Sequence, residues 1–139
     1  MGDGASLWYF SNSKPAGERS PTRLQPGIYG LSNASLDTPW PKVQRGKDCL
    51  QTLLNRGALS HDDLAGVVSD PALADPSALR DQGMGSDMDR LLSAQFIVTG
   101  TYGTRSTTTL WRNRDGRGSW REISFDASGD RRQVEERDF

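Results

Sequence analysis

Asn33 and Arg105 are the two side chains of this 139-residue sequence best suited to grip a polar guest. Asn33 ends the segment Gly27-Ile28-Tyr29-Gly30-Leu31-Ser32-Asn33, which reads as a strand. It precedes a rigid corner, Leu36-Asp37-Thr38-Pro39-Trp40-Pro41-Lys42. An Asn placed there either turns its amide donors into a cleft or bonds the backbone of the corner. Arg105 lies in the polar, glycine-punctuated segment Tyr102-Gly103-Thr104-Arg105-Ser106-Thr107-Thr108-Thr109. A guanidinium among small hydroxyl residues can hold a carboxylate or phosphate with two prongs. The alternatives for it are a solvated strand face or a buried pair with Asp37 or another carboxylate. Trp40, wedged between prolines, is either a flat wall for a planar ligand or an anchor of the loop on the core. Lys42 can close the same turn on a carbonyl or carboxylate. The expected ligand-binding set is Ser32, Asn33, Asp37, Trp40, Lys42, Tyr102, Thr104, Arg105 and Ser106. Its guest is a small molecule bearing a carboxylate, phosphate or amide group.

Other chemistries find less support. Thr104, Ser106, Thr107 and Thr108 read as strand formers, because no histidine nearby in the sequence can activate them. His61, the only histidine, stands at the start of a predicted helix and is expected to face solvent. One His and one Cys make no zinc site. Cys49 reads as a small core residue and cannot form an internal disulfide, so nothing points to an oxidising compartment. The formal net charge is −1 and there is no dense Lys/Arg run, which argues against nucleic acid or an anionic membrane as partner. Arg112, Arg114, Arg117 and Arg121 flank a turn rich in Asp and Gly and read as a solvated hairpin tip. No apolar stretch approaches the roughly 20 residues needed to cross a bilayer, so a soluble, cytoplasmic protein is expected.

The elements that must position these residues follow from pattern. With 25% charged and 34% hydrophobic residues, the chain is polar but within the globular range, and its length suits a single domain over 1–139. Gly2-Asp3-Gly4 signals a tight turn, and Ser6 to Asn12 reads as a buried strand. Residues 13–26 read as a loop. Val43, Cys49, Leu50, Leu53 and Leu54 form an apolar helical stripe ending at Gly57. Ser60 caps a short helix carrying Leu64, Val67 and Val68, stopped by Asp70-Pro71. Residues 70–87 read as a surface loop, and Ser86 caps one further turn. Ala94 to Thr99 is a continuous apolar strand by pattern. Thr101 to Asn113, Ser119 to Phe125 and Arg131 to Phe139 complete a meander around a turn at Asp115-Gly116-Arg117-Gly118. A β-rich final block around a helical middle is α+β.

The motifs carry a resemblance. Gly30-Leu31-Ser32-Asn33, Leu36-Asp37-Thr38-Pro39-Trp40-Pro41-Lys42 and Tyr102-Gly103-Thr104-Arg105-Ser106 resemble the C-terminal part of the transport and Golgi organisation 2 family, also called NRDE proteins. Leu7-Trp8-Tyr9-Phe10-Ser11-Asn12, Leu91-Leu92-Ser93-Ala94 and Glu136-Arg137-Asp138-Phe139 add weaker matches. The resemblance implies an N-terminal-nucleophile-hydrolase-like fold, here a partial αββα arrangement. In the cysteine-nucleophile branch of that superfamily, an Asn after a short strand is an oxyanion-hole donor, and Asn33 stands at the matching position. Such a donor is worth on the order of a few kcal/mol of transition-state stabilisation. The same resemblance implies roles in secretory-pathway and Golgi organisation, Golgi or mitochondrial association, and haem or lipid and acyl-CoA handling, with haem as the cofactor it suggests.

The chain begins Met1-Gly2-Asp3, without the Cys, Ser or Thr that such a nucleophile requires behind the initiator, so it is not expected to hydrolyse anything alone. It reads as a family member lacking its N-terminal half, with a small-ligand binding or trafficking role. The alternative is an amidohydrolase acting on non-peptide C–N bonds once that half is supplied. Asn113-Arg114-Asp115-Gly116 shares letters with the family's eponymous motif but reads as a hairpin turn. A hairpin that starts at its turn leaves an unpaired strand edge, which implies self-association.

Overall fold

The computed structural model describes residues 6–12, 17, 19–57, 59–80 and 86–139, so the turn expected at Gly2-Asp3-Gly4 lies outside the described residues. Those residues form an α+β arrangement of two antiparallel sheets and four helices in the order β1 (Leu7–Tyr9), β2 (Thr22–Leu24), α1 (Pro41–Arg56), α2 (His61–Gly66), α3 (Pro76–Arg80), α4 (Asp87–Leu91), β3 (Ser106–Arg112), β4 (Gly118–Phe125) and β5 (Arg131–Asp138). No helix among them is long and apolar enough to cross a membrane.

Helix α1 is the scaffold of the molecule's middle. Trp40 is its N-cap in extended geometry and Pro41 occupies the first turn, where its missing N–H costs nothing. Gly57 ends it at φ +79, with its N–H bonded to the Leu54 carbonyl. Val43 and Leu53 are buried from its apolar stripe, whereas Leu54 is exposed and Cys49 is only half-buried, not the core residue expected. Helices α2 and α4 both begin on capping boxes, Ser60 with Asp63 and Ser86 with Asp89. Helix α3 lies in the segment read as loop, and its Leu79 is among the most buried residues.

The sheet β3-β4-β5 is the meander the sequence implies, with Thr107 opposite Ile123 and Ile123 opposite Val134. Gly116, at φ +89, occupies the position in the β3–β4 turn that side chains rarely adopt. Odd-numbered Thr107 and Thr109 are buried on the face that meets α2.

Three expectations are corrected. The segment Ser6–Asn12 is not buried: only Leu7–Tyr9 is strand, and Leu7, Trp8 and Phe10 are exposed. Its partner is Thr22–Leu24, inside the stretch read as loop. The resulting ribbon is two strands wide, too narrow to bury both faces. Residues 27–33 make no strand, because the Gly30 N–H is taken by the Asp37 carboxylate and its carbonyl by the Asp37 N–H. Residues 94–99 make no strand either. The N–H groups of Gln95 and Phe96 both donate to the Asp70 carbonyl, leaving a single bridge between Val98 and Gly103.

Candidate functional site

The corner before α1 is built by Asp37. Its φ of +57 lies in the left-handed region that Asp tolerates better than most residues. One carboxylate oxygen, Oδ1, accepts from Gly30 N at 2.8 Å and from Lys47 Nζ at 2.8 Å. The Lys47 ammonium, and then the Gly30 N–H, hold the Asp37 carboxyl below its ordinary range. Leu36 N donates to the Tyr9 hydroxyl at 3.4 Å, which ties β1 to the same corner. Asp37 is thus a clamp within the fold through Oδ1, a role the sequence reading did not assign it.

This arrangement has a pH consequence. A carboxyl whose folded value is depressed stabilises the fold above its unfolded value of about 4, and that contribution disappears as pH falls through the folded value. Lowering the pH below about 4 is therefore expected to open the corner. Faster hydrogen exchange at the Gly30 amide would register it. Asp37→Asn should show fast exchange already at neutral pH, with the acid-dependent part gone.

Between this corner and α1 lies a groove of about 350 Å³. Ile28 to Ser32 form one wall, the Lys42, Val43, Gly46, Lys47 and Leu50 face of α1 forms the floor, and Val67, Val68, Ala94, Gln95 and Ile97 form the far side. Most of that lining is apolar, and Leu31 and Val68 at its margin are exposed. The volume lies within the range of small-molecule sites. Two glycines make the close packing possible. A Cβ on Gly30 would lie 2.5 Å from Val43 Cγ1, and one on Gly46 would lie 2.9 Å from Gln95 Nε2. Gln95 uses that passage to reach the Lys42 carbonyl at 3.0 Å.

Lys42 is the cation of this site. Its Nζ donates to the Leu92 carbonyl at 2.7 Å and sits 5.5 Å from the centre of the Trp40 ring. Burial pushes its ammonium below the usual lysine range. Among the described residues no carboxylate lies within ion-pairing distance of it, whereas Lys47 is neutralised by Asp37. Lys42 also borders a second cavity of about 40 Å³, shared with Asn33, Trp40, Asp89, Leu92 and Ser93. The exposed Asn33 side chain makes no hydrogen bond to the described residues, so it does not bond the corner's backbone.

The expected partner across the site is elsewhere. Arg105 lines neither cavity and is exposed just before β3, where its carbonyl accepts from Phe125 N at 2.9 Å. It makes no ion pair with Asp37, whose partner is Lys47. Thr104 is a clamp: its hydroxyl accepts from Ile97 N at 2.9 Å and its own N–H donates to the Ile97 carbonyl. Tyr102 is exposed, with its N–H and carbonyl both engaged by Thr99, and exposed Ser106 pairs with Ser124. The second segment therefore folds on itself and on β4, away from the corner. Of the residues expected to bind, the structure gathers Ser32, Asn33, Trp40 and Lys42.

Lys47, Gly46 and Gln95 were not legible as site residues. The one available signal was a glycine inside a helical pattern, since mid-helix glycine needs a packing reason. His61 does not face solvent as its place at a helix start predicts. It is buried, with Nδ1 2.7 Å from Thr109 Oγ1 and Nε2 2.9 Å from Ser119 Oγ, and its ring centre 6.5 Å from that of Trp111. The cap at Ser60 was right, but the first helical residue turns towards the sheet. The described residues hold no cluster of three or more metal-ligating side chains.

Comparison with known proteins matches residues 1–127 to the family model described as Transport and Golgi organisation 2. A human protein named Transport and Golgi organization protein 2 homolog is 37% identical over 132 residues, and a bovine one of the same name 34% over 133. A mouse protein named Transport and Golgi organization 2 homolog is 35% identical over 131 residues. In each case the match covers 88% of this chain and 46% of the relative, so the chain spans about half the length of the curated relatives it matches. On these matches, the chain belongs to the Transport and Golgi organisation 2 family.

Proposed function

We propose that this chain carries a binding site for a small amphipathic anion, with an apolar body in the groove and a carboxylate or phosphate at Lys42. The supporting observation is a partly desolvated lysine, without a carboxylate partner among the described residues, at the head of an apolar groove. Lys47 is paired with Asp37, whereas Lys42 makes no ion pair with a described carboxylate. Asn33 and Ser32 each line one of the cavities that share Lys42, which supports their assisting it. Lipid or acyl-CoA handling is compatible with that chemistry. Haem is less so, because the groove's lining includes no His, Cys or Met to ligate iron, and His61 is sealed between hydroxyls.

Titration with a fluorescent long-chain fatty acid, displaced by dodecyl phosphate, tests the proposal. Lys42→Met is expected to weaken both ligands about tenfold, the order of one charge-assisted contact. Arg105→Ala should bind as the unchanged protein does. Equal affinity of Lys42→Met, or loss with Arg105→Ala, would contradict it.

The amidohydrolase reading keeps one supporting observation, the unengaged Asn33 amide at a cavity edge beside Lys42. It predicts that Asn33→Ala lowers kcat for amide hydrolysis about 100-fold or more in a protein spanning the relatives' full length, with a smaller loss of fatty-acid binding here than Lys42→Met causes.

A further inference from the structure

We infer that the free edge of β3 pairs with β3 of a second copy of the chain, joining two three-stranded sheets into one. The hydrogen-bonding phase of the sheet exposes that edge. Gly118 exchanges both backbone bonds with Phe139, and Phe125 N donates to Arg105 O. Even-numbered residues of β4 therefore bond towards β5, and odd-numbered ones towards odd-numbered residues of β3. The N–H and C=O groups of Ser106, Thr108, Leu110 and Arg112 must then point away from β4. Among the described residues no backbone group bonds them.

The two outer edges of this sheet differ in chemistry. Strand β5 exposes every residue, and Arg131, Arg132, Glu135, Glu136, Arg137 and Asp138 charge it heavily, which guards an edge against strand addition. Strand β3 reads Ser-Thr-Thr-Thr-Leu-Trp-Arg, with one charge, no proline and three β-branched residues. It is also self-complementary. Antiparallel pairing about a twofold axis at Thr109 sets Thr108 against Leu110 of the second copy and Ser106 against its Arg112. The outward backbone groups then meet in phase, and no like charges face each other. The sequence implied an open edge at the first strand; β2 covers one side of β1, and in the larger sheet the open edge with fewer charges is β3.

Sedimentation equilibrium of the whole chain tests this, with a species of twice the 15.3 kDa chain expected. Combining Thr108→Lys with Leu110→Lys sets like charges opposite each other across the axis and should raise the dimer dissociation constant about tenfold or more. Combining Thr108→Lys with Leu110→Glu sets opposite charges there and should retain the dimer. All these positions are exposed, and far-UV circular dichroism should match across the three proteins. A monomer at every accessible concentration, or equal association of both double variants, would overturn the inference.

Discussion

Replacing His61 by alanine is expected to lower the melting temperature by about 10 °C. The imidazole is buried where α2 meets the sheet, and each ring nitrogen bonds a hydroxyl, one from β3 and one from β4. Truncation leaves a cavity and takes the short bond from each hydroxyl, leaving only the 3.4 Å contacts of Thr109 Oγ1 to the Arg121 carbonyl and Ser119 Oγ to the Arg137 carbonyl, together a loss on the order of 3 kcal/mol. Ser119 is almost fully buried, so water cannot readily replace the lost partner. His61→Phe separates the two effects. It refills much of the space but leaves each hydroxyl only its long carbonyl contact, so it should recover only part of the loss. Adding Thr109→Val to His61→Phe removes one stranded hydroxyl and should recover more, which thermal melts of the set would show. If His61→Ala melts with the unchanged protein, the ring is not the tie between helix and sheet.

Gly30→Ala is expected to cost about 2 kcal/mol, whereas Gly46→Ala should be close to neutral. The new methyl on Gly30 would press on a branched side chain of α1, Val43, which is itself buried and has little rotamer freedom. The corner cannot move away without breaking the paired bonds between Gly30 and Asp37. On Gly46 the nearest atom is the end of the Gln95 side chain, which can swing aside. Its lost bond to the Lys42 carbonyl is offset by better helix propensity. Chemical denaturation of the two variants should place their midpoints apart in that order. Equal midpoints would mean that the corner yields more easily than its hydrogen bonds imply.

How much could be read beforehand depended on where the determining contacts lay. Helix α1, both capping boxes and the β3–β4–β5 meander are specified by residues within a few positions of each other, and their spacing shows in the sequence. The false strands at 27–33 and 94–99 are apolar runs whose backbone groups are claimed from a distance, by Asp37 in one case and the Asp70 carbonyl in the other. No local pattern announces such a claim. Ser32, Asn33, Trp40 and Lys42 fall close together because Pro39 and Pro41 fix the backbone between them, a local signal that the sequence shows. Arg105 was not placeable, since its distance from the corner depends on how residues 97–104 fold back through Thr104. His61 shows the same limit: its cap is local, but its hydroxyl partners are 48 and 58 residues away.

The groove with Lys42 at its head is what the functional reading stands on, and its location can be measured directly. Amide resonances of the whole chain, followed by two-dimensional NMR during titration with dodecyl phosphate, should shift first at Gly30, Ser32, Gly46 and Ala94, which line that groove. With Lys42→Met the same shifts should need about tenfold more ligand. Shifts centred on Thr104, Arg105 and Ser106, with the groove residues unmoved, would contradict the account.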